Sequence, residues 1–238
     1  MQYRASIKTL FTHPNWGMQL LLGSVCALIP LLGPIVYVGY LTEVIVAQHR
    51  HGEETYPVFD FDNFSRYLKR GIWPFLVQLV VGLFALPVLA FSAAPLLAIP
   101  LLDLHEPEII APIAATILLF SFAMVLMVVF ILPLTIRAAL LQDFKNAFSW
   151  TFAKGFVARV WSQIILAQLF LIAAMFPMMI FGFATCGLGY YPVITVIMFA
   201  SWQLHRQLYE LYLVRGGEPI EISHSFLQDP HPSRESAL

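Results

Sequence analysis

Long apolar stretches almost free of charge constrain this chain more than any other feature. They cover residues 16–48, 72–102, 109–142, 161–183 and 188–212. About 20 uncharged apolar residues suffice to carry a helix across the ~30 Å hydrocarbon core of a bilayer. Only 11% of the residues are charged, against roughly 25% in soluble domains, so a water-soluble fold is excluded. Transmembrane barrels alternate apolar and polar residues over segments of about ten, whereas these runs are continuous. A helix satisfies its own backbone hydrogen bonds, as lipid requires. The expectation is an all-α, polytopic transmembrane helix bundle. The apolar run near the N-terminus lacks a small-residue cleavage site and is expected to stay in the mature protein.

Charge sets the expected topology. The connection 48–71 carries Arg50, Arg66, Lys69 and Arg70, and 142–160 carries Lys145, Lys154 and Arg159 just after Arg137. Between them, Asp103, Glu106 and Glu108 surround His105 with no Lys or Arg, and the turn 184–189 is uncharged. Arg4 and Lys8 mark the N-terminal arm, Arg206 and Arg215 the C-terminal end. The positive-inside bias puts both termini and both basic loops in the cytoplasm.

Arg4 and Arg50 then share a side, so 16–48 must enter and return. Pro30 and Pro34, with Gly33 between them, supply the corner. Each arm has only about 15 residues, or ~22 Å of helix. About six membrane helices are expected, the first pair a short Pro/Gly hairpin; four spans plus a re-entrant hairpin are the alternative. Kinks at Pro87, Pro95, Pro100, Pro112 and Pro133 would absorb the extra length of the next two runs.

Each helix pair follows a stretch of aromatic and basic residues, at 3–13, 59–71 and 143–155. These are expected as amphipathic helices in the cytoplasmic headgroup layer, giving a threefold parallel repeat of interfacial helix plus hairpin. Residues 1–215 form one transmembrane domain, and 216–238 read as a polar, poorly ordered cytoplasmic tail.

Ionisable groups in lipid are functional candidates by default. Glu43, Arg137 and His205 lie near cytoplasmic helix ends, and Gln78, Gln163 and Gln168 lie within spans with Gln203. Glu43, Gln78, Arg137, Gln163, Gln168 and His205 are therefore the substrate-binding candidates, with an ion pair from Glu43 to Arg137 or Arg206 as the structural reading. No catalytic, phosphate-binding or metal-ligand spacing occurs: His49 and His51 stand alone, and no cofactor is expected. Cys26 and Cys186 are expected as free, packed thiols, with a disulfide the alternative. A net charge of −1 argues against nucleic acid. The expected partners are the lipid bilayer and either another membrane protein or a second copy. A non-enzymatic scaffold or accessory subunit is the leading function, and a transporter or permease subunit for a neutral or amphipathic solute the alternative.

The punctuation of the first third is ordered. It runs Phe11-x-x-Pro14-x-Trp16, Gly23, Ile29-Pro30-x-x-Gly33, Gly39-Tyr40, Gly52, Tyr56-Pro57, Asp60 and Lys69-x-Gly71. This layout resembles the prokaryotic membrane family catalogued as domain of unknown function four thousand and thirteen. The likeness is strongest over 9–71 and continues more loosely through Pro133, Arg137 and the last helix pair. It implies a multi-spanning protein of the prokaryotic cell membrane and supplies no site residues. Physically, Gly39 should let two backbones approach while Tyr40 points toward water, and Trp16 should anchor the first span.

Overall fold

The computed structural model describes residues 1–12, 15–52, 55, 57–101 and 108–226, and among them there are helices and no strands. The order is α1 (Tyr3–Thr12), α2 (Trp16–Leu28), α3 (Leu32–His51), α4 (Phe64–Ser92), α5 (Ala94–Leu101), α6 (Ile110–Leu141), α7 (Phe144–Ala147), α8 (Trp150–Ala184) and α9 (Tyr190–Val214). Single 3-10 turns occupy Phe61–Asn63 and His224–Phe226. Three helical segments, Phe61–Leu96, Ile110–Leu141 and Trp150–Ala184, are long and apolar enough to cross a membrane, and Trp16–Leu28 is a shorter apolar helix. Large apolar side chains point outward from all three: Leu83, Phe84 and Phe91 on α4, Leu118 and Phe122 on α6, Ile172 and Phe176 on α8.

The centre of the bundle is α3, buried without interruption from Ile35 through Gln48 between α2, α4, α6 and α9. Its entry is a tight corner after α2. Leu31 adopts φ 64° and ψ −59°, and the Leu32 N–H donates to the Pro30 carbonyl at 2.8 Å. That is a γ-turn, a strained conformation for a residue with a side chain. Pro34 sits inside the first turn of α3, where its missing N–H would have been unpaired anyway. The α3–α4 crossing is closer still. A Cβ on Gly39 would strike the Tyr67 carbonyl, and one on Gly71 the Ile35 carbonyl.

Chain ends and connections gather at one end of the bundle. The Gln2 N–H donates to Gln207 Oε1 at 2.8 Å, and the Gln142 side chain donates to the Arg70 carbonyl at 3.2 Å. Arg159 Nε donates to the Arg215 carbonyl at 3.3 Å. The α2–α3 and α8–α9 turns lie at the other end of their helices. Glu108 is the one described residue of the acidic connection; Asp103, His105 and Glu106 lie outside the described residues, as do Pro14 and Tyr56.

Three expectations need correction. First, the stretches at 59–71 and 143–155 are not single surface helices: each opens with a short element (the 3-10 turn Phe61–Asn63, or α7) and then runs into the first turns of α4 or α8. Phe59 and Tyr67 are buried against Tyr40, and Phe152 and Phe156 against Tyr212. These four face inward because adjacent helices offer them apolar partners, whereas Phe61, Phe148 and Trp150 stay exposed. A local likeness survives: Asp60 and Asp143 both sit in extended backbone and cap the turn that follows, accepting from Asp62 N–H and from the Lys145 and Asn146 N–H groups. Second, Tyr40 does not approach water. It is 1% exposed, and its hydroxyl donates to the Pro57 carbonyl at 3.1 Å. Third, residues 216–226 are packed rather than loose. Ile220 and Phe226 are buried, and the Ser223 N–H donates to the Leu140 carbonyl at 2.9 Å. Residues 227–238 lie outside the described residues.

Candidate functional site

Buried charge in this fold concentrates where α3 crosses α4. Glu43, 9% exposed, faces Arg70 Nη1 at 2.5 Å and Arg66 Nε at 3.1 Å. Arg66 and Arg70 are one helical turn apart, so both side chains fall on the face that α4 presents to α3. Arg66 completes a two-point contact through Nη2 to Glu43 Oε2 at 3.2 Å. The glycine crossing at Gly39 and Gly71 brings the helices near enough for this pairing. The expected pairing of Glu43 with Arg137 or Arg206 is therefore incorrect: antiparallel α4 lies against this side of α3 and supplies the cations first.

The C-terminal segment closes over the same cluster. Arg70 donates to the Ser225 carbonyl at 3.1 Å and stacks over the Phe226 ring at 4.4 Å. Arg50 donates to the Phe226 carbonyl at 3.2 Å. The Tyr209 hydroxyl accepts from the Ile220 N–H at 2.8 Å, which aligns the segment across the end of α9.

The other candidates are dispersed. Arg137, half-buried, donates to the Asn146 carbonyl at 2.8 Å and lies 5.1 Å from the Phe152 ring centre, so it braces the α6–α8 connection. Gln163 accepts from Ser162 at 2.9 Å and from Arg215 at 3.1 Å, near the charged end of α9. Gln78 on α4 and Gln168 on α8 are half-buried, on helices separated by α6, which packs on both. The Gln residues thus do not converge. Gln203 donates to Gln48 at 2.9 Å, and Arg206 pairs with Glu210 at 2.7 Å.

His205 is the exception. Its Nδ1 is buried without a hydrogen-bond partner among the described residues, and Nε2 lies 3.5 Å from the Ser201 hydroxyl. It borders a cavity of about 10 Å³ with His49, Ile136, Arg206 and Tyr209, space for one water-sized molecule. Among the described residues, no group of three His, Cys, Asp or Glu side chains is placed to hold a metal ion. Cys26 is buried, Cys186 is exposed, and both are free thiols.

Sequence reasoning missed Arg66 and Arg70 as partners of Glu43. Their four-residue spacing was visible, but the register of α4 on α3 was not. The docking of Phe226 left no periodic signal at all.

No curated protein and no solved structure matches the chain. A family model described as a protein of unknown function, DUF4013, matches residues 22–200. That span takes in α3, the glycine crossing and the Glu43 cluster, and the chain belongs to this family.

Proposed function

We propose that the chain is a multi-pass protein of the prokaryotic cell membrane, with both termini cytoplasmic, that acts as a non-enzymatic scaffold or accessory subunit. The outward apolar faces of α4, α6 and α8 and the gathering of charged connections at one end support insertion with that orientation. On this reading α2, α3 and α9 complete about six membrane helices.

One observation carries the scaffold reading: among the described residues most buried polar side chains are paired within the protein, with Thr135 and His205 among the exceptions. Glu43 holds Arg66 and Arg70, Gln203 holds Gln48, and Arg206 holds Glu210. The space beside His205 is about 10 Å³, whereas sites for small organic ligands run to roughly 300 Å³ or more. What remains for a partner is the outer surface, met by another membrane protein or a second copy of the chain.

The alternative, a transporter or permease subunit for a neutral or amphipathic solute, draws on the unpartnered His205 Nδ1 and on Pro87, Pro133 and Pro177 within α4, α6 and α8. Purified protein in liposomes, assayed for glycerol and fluorescent-lipid movement, separates the two. The scaffold reading expects rates equal to empty liposomes, with photo-crosslinkers at Leu118 or Phe122 capturing a membrane protein. Solute flux that Gln163→Leu or His205→Ala abolishes would overturn it.

A further inference from the structure

We infer that the groove between α1 and α8 seats one anionic glycerophospholipid, its phosphate between Arg4 and Lys8 and an acyl chain along α8. The inference rests on the membrane reading above. The groove is open, encloses about 460 Å³, and is lined by Arg4, Ile7, Lys8, Phe170, Ala173 and Ala174.

Its two halves differ in chemistry. Arg4 and Lys8 are spaced four apart, so both side chains project over one edge. Both are exposed, α1 contains no acidic residue, and neither cation has an ion-pair partner among the described residues. The floor is apolar and low because Ala173 and Ala174 stand where larger side chains would fill it. Toward the α8–α9 turn the same face of α8 continues through exposed Pro177 and Phe181. An occupant must therefore carry negative charge at one end and hydrocarbon at the other.

The rest of α1 is committed to the protein. Leu10 and Ser6 are buried, Tyr3 meets the Phe170 ring at 5.6 Å, and Gln2 is held by Gln207. The two cations are thus fixed to α8 by a packed helix, not carried on a loose arm. Phe11 and Trp16, in edge contact at 5.4 Å and both exposed, follow directly, as aromatic residues do at headgroup depth.

The test uses the full chain in mild detergent with equal amounts of phosphatidylglycerol and phosphatidylcholine, reading bound lipid by native mass spectrometry. One phosphatidylglycerol should be retained in preference. At the strength usual for a basic residue near an anionic surface, neutralising both cations with R4Q/K8Q should lower that preference about thirtyfold. Lys154→Gln, remote from the groove, should leave it unchanged. Ala173→Trp should fill the groove and reduce retention of both lipids while helix content stays constant. Equal preference in wild type and the double variant overturns the site. Displacement by inorganic phosphate as effective as by phosphatidylglycerol overturns the acyl-chain half. Alkaline extraction of native membranes keeps the two proposals apart. A protein released by carbonate sinks the membrane reading itself, whereas a retained protein without lipid preference sinks only the groove.

Discussion

Replacing Glu43 with alanine removes the carboxylate that faces Arg70 at 2.5 Å and Arg66 at 3.1 Å. Direct attraction at such distances is about 5–7 kcal/mol per pair at an effective dielectric of ~20. Dehydrating each ion costs several kcal/mol, so the net contribution of the intact cluster is small. Losing one member does not reverse that balance. Arg70, 8% exposed, stays pinned by the Ser225 carbonyl and the Phe226 ring, and loses the carboxylate that offsets its dehydration. The expected loss for Glu43→Ala is therefore about 3–5 kcal/mol. Arg66 is 36% exposed and can turn to water, so Arg66→Ala should lose only about 0–1 kcal/mol. Unfolding of the detergent-solubilised protein by added SDS, followed by tryptophan fluorescence, measures both. The Glu43→Ala/Arg70→Ala double variant should be less destabilised than the sum of its singles. A Glu43→Ala loss under about 1 kcal/mol, or one equal to that of Arg66→Ala, would refute the reasoning, because it would mean that the buried Arg70 charge does not depend on Glu43.

The same unfolding assay checks most of the remaining predictions. Gly71→Ala drives a methyl group into the Ile35 carbonyl, and backbone cannot swing aside as a side chain can. A loss at or above the roughly 1–3 kcal/mol of ordinary overpacking is expected, with Gly39→Ala less than additive to it. Leu31→Gly relieves the γ-turn at φ 64° while giving up a side chain that is 69% exposed; a gain of about 1 kcal/mol is expected. Phe226→Ala should lose about 3 kcal/mol from its buried ring and expose 216–226 to protease. Asp143 is held below the usual carboxylate range, first by the Asn146 backbone N–H and then by its side-chain amide. Its contribution is present above the unfolded value of about 3.9 and is lost as pH falls through the lower folded value. Asp143→Asn should lower stability at neutral pH and flatten its dependence on pH, so that variant and wild type converge as pH falls through that acid window.

Much of the architecture was legible because it rests on local chemistry. Two prolines around Gly33 mark the corner between α2 and α3 whatever surrounds them, and Gly39 signals a close approach because only a missing Cβ permits one. What depends on register was not legible. The basic and aromatic residues at 59–71 suit a headgroup layer equally well as a packed interior, and only the position of Tyr40 decides that Phe59 and Tyr67 turn inward. Glu43 had several cations within reach in principle, and the antiparallel fit of α4 selected Arg66 and Arg70. Ile220 and Phe226 are isolated apolar residues in a polar segment, and no period of 2 or 3.6 flags them.

Four glycines and one proline of the family likeness share a physical task. Gly23 meets the Tyr37 ring, Gly33 the Cys26 carbonyl, and Gly39 and Gly71 each other's helix. Pro57 accepts from Tyr40. Every one either lies on α3 or lets a neighbour close on it. A signature of this kind describes the cradle of a buried helix, and a cradle is compatible with many activities. Interior chemistry would have demanded several polar groups left unpaired around a shared space, yet Glu43 is spent on α4, Gln203 on α3 and Arg206 on Glu210 of its own helix, and the space beside the unpaired His205 Nδ1 is about 10 Å³. Selection for a partner would instead act on surfaces the cradle holds rigid, namely the outward faces of α4, α6 and α8 and the cationic edge of α1. Substitutions there should change what the protein assembles with while leaving its unfolding midpoint within about 0.5 kcal/mol of wild type. Substitutions around α3 should do the reverse. A surface series that unfolds the protein as readily as Gly71→Ala does would show that no such division of labour exists.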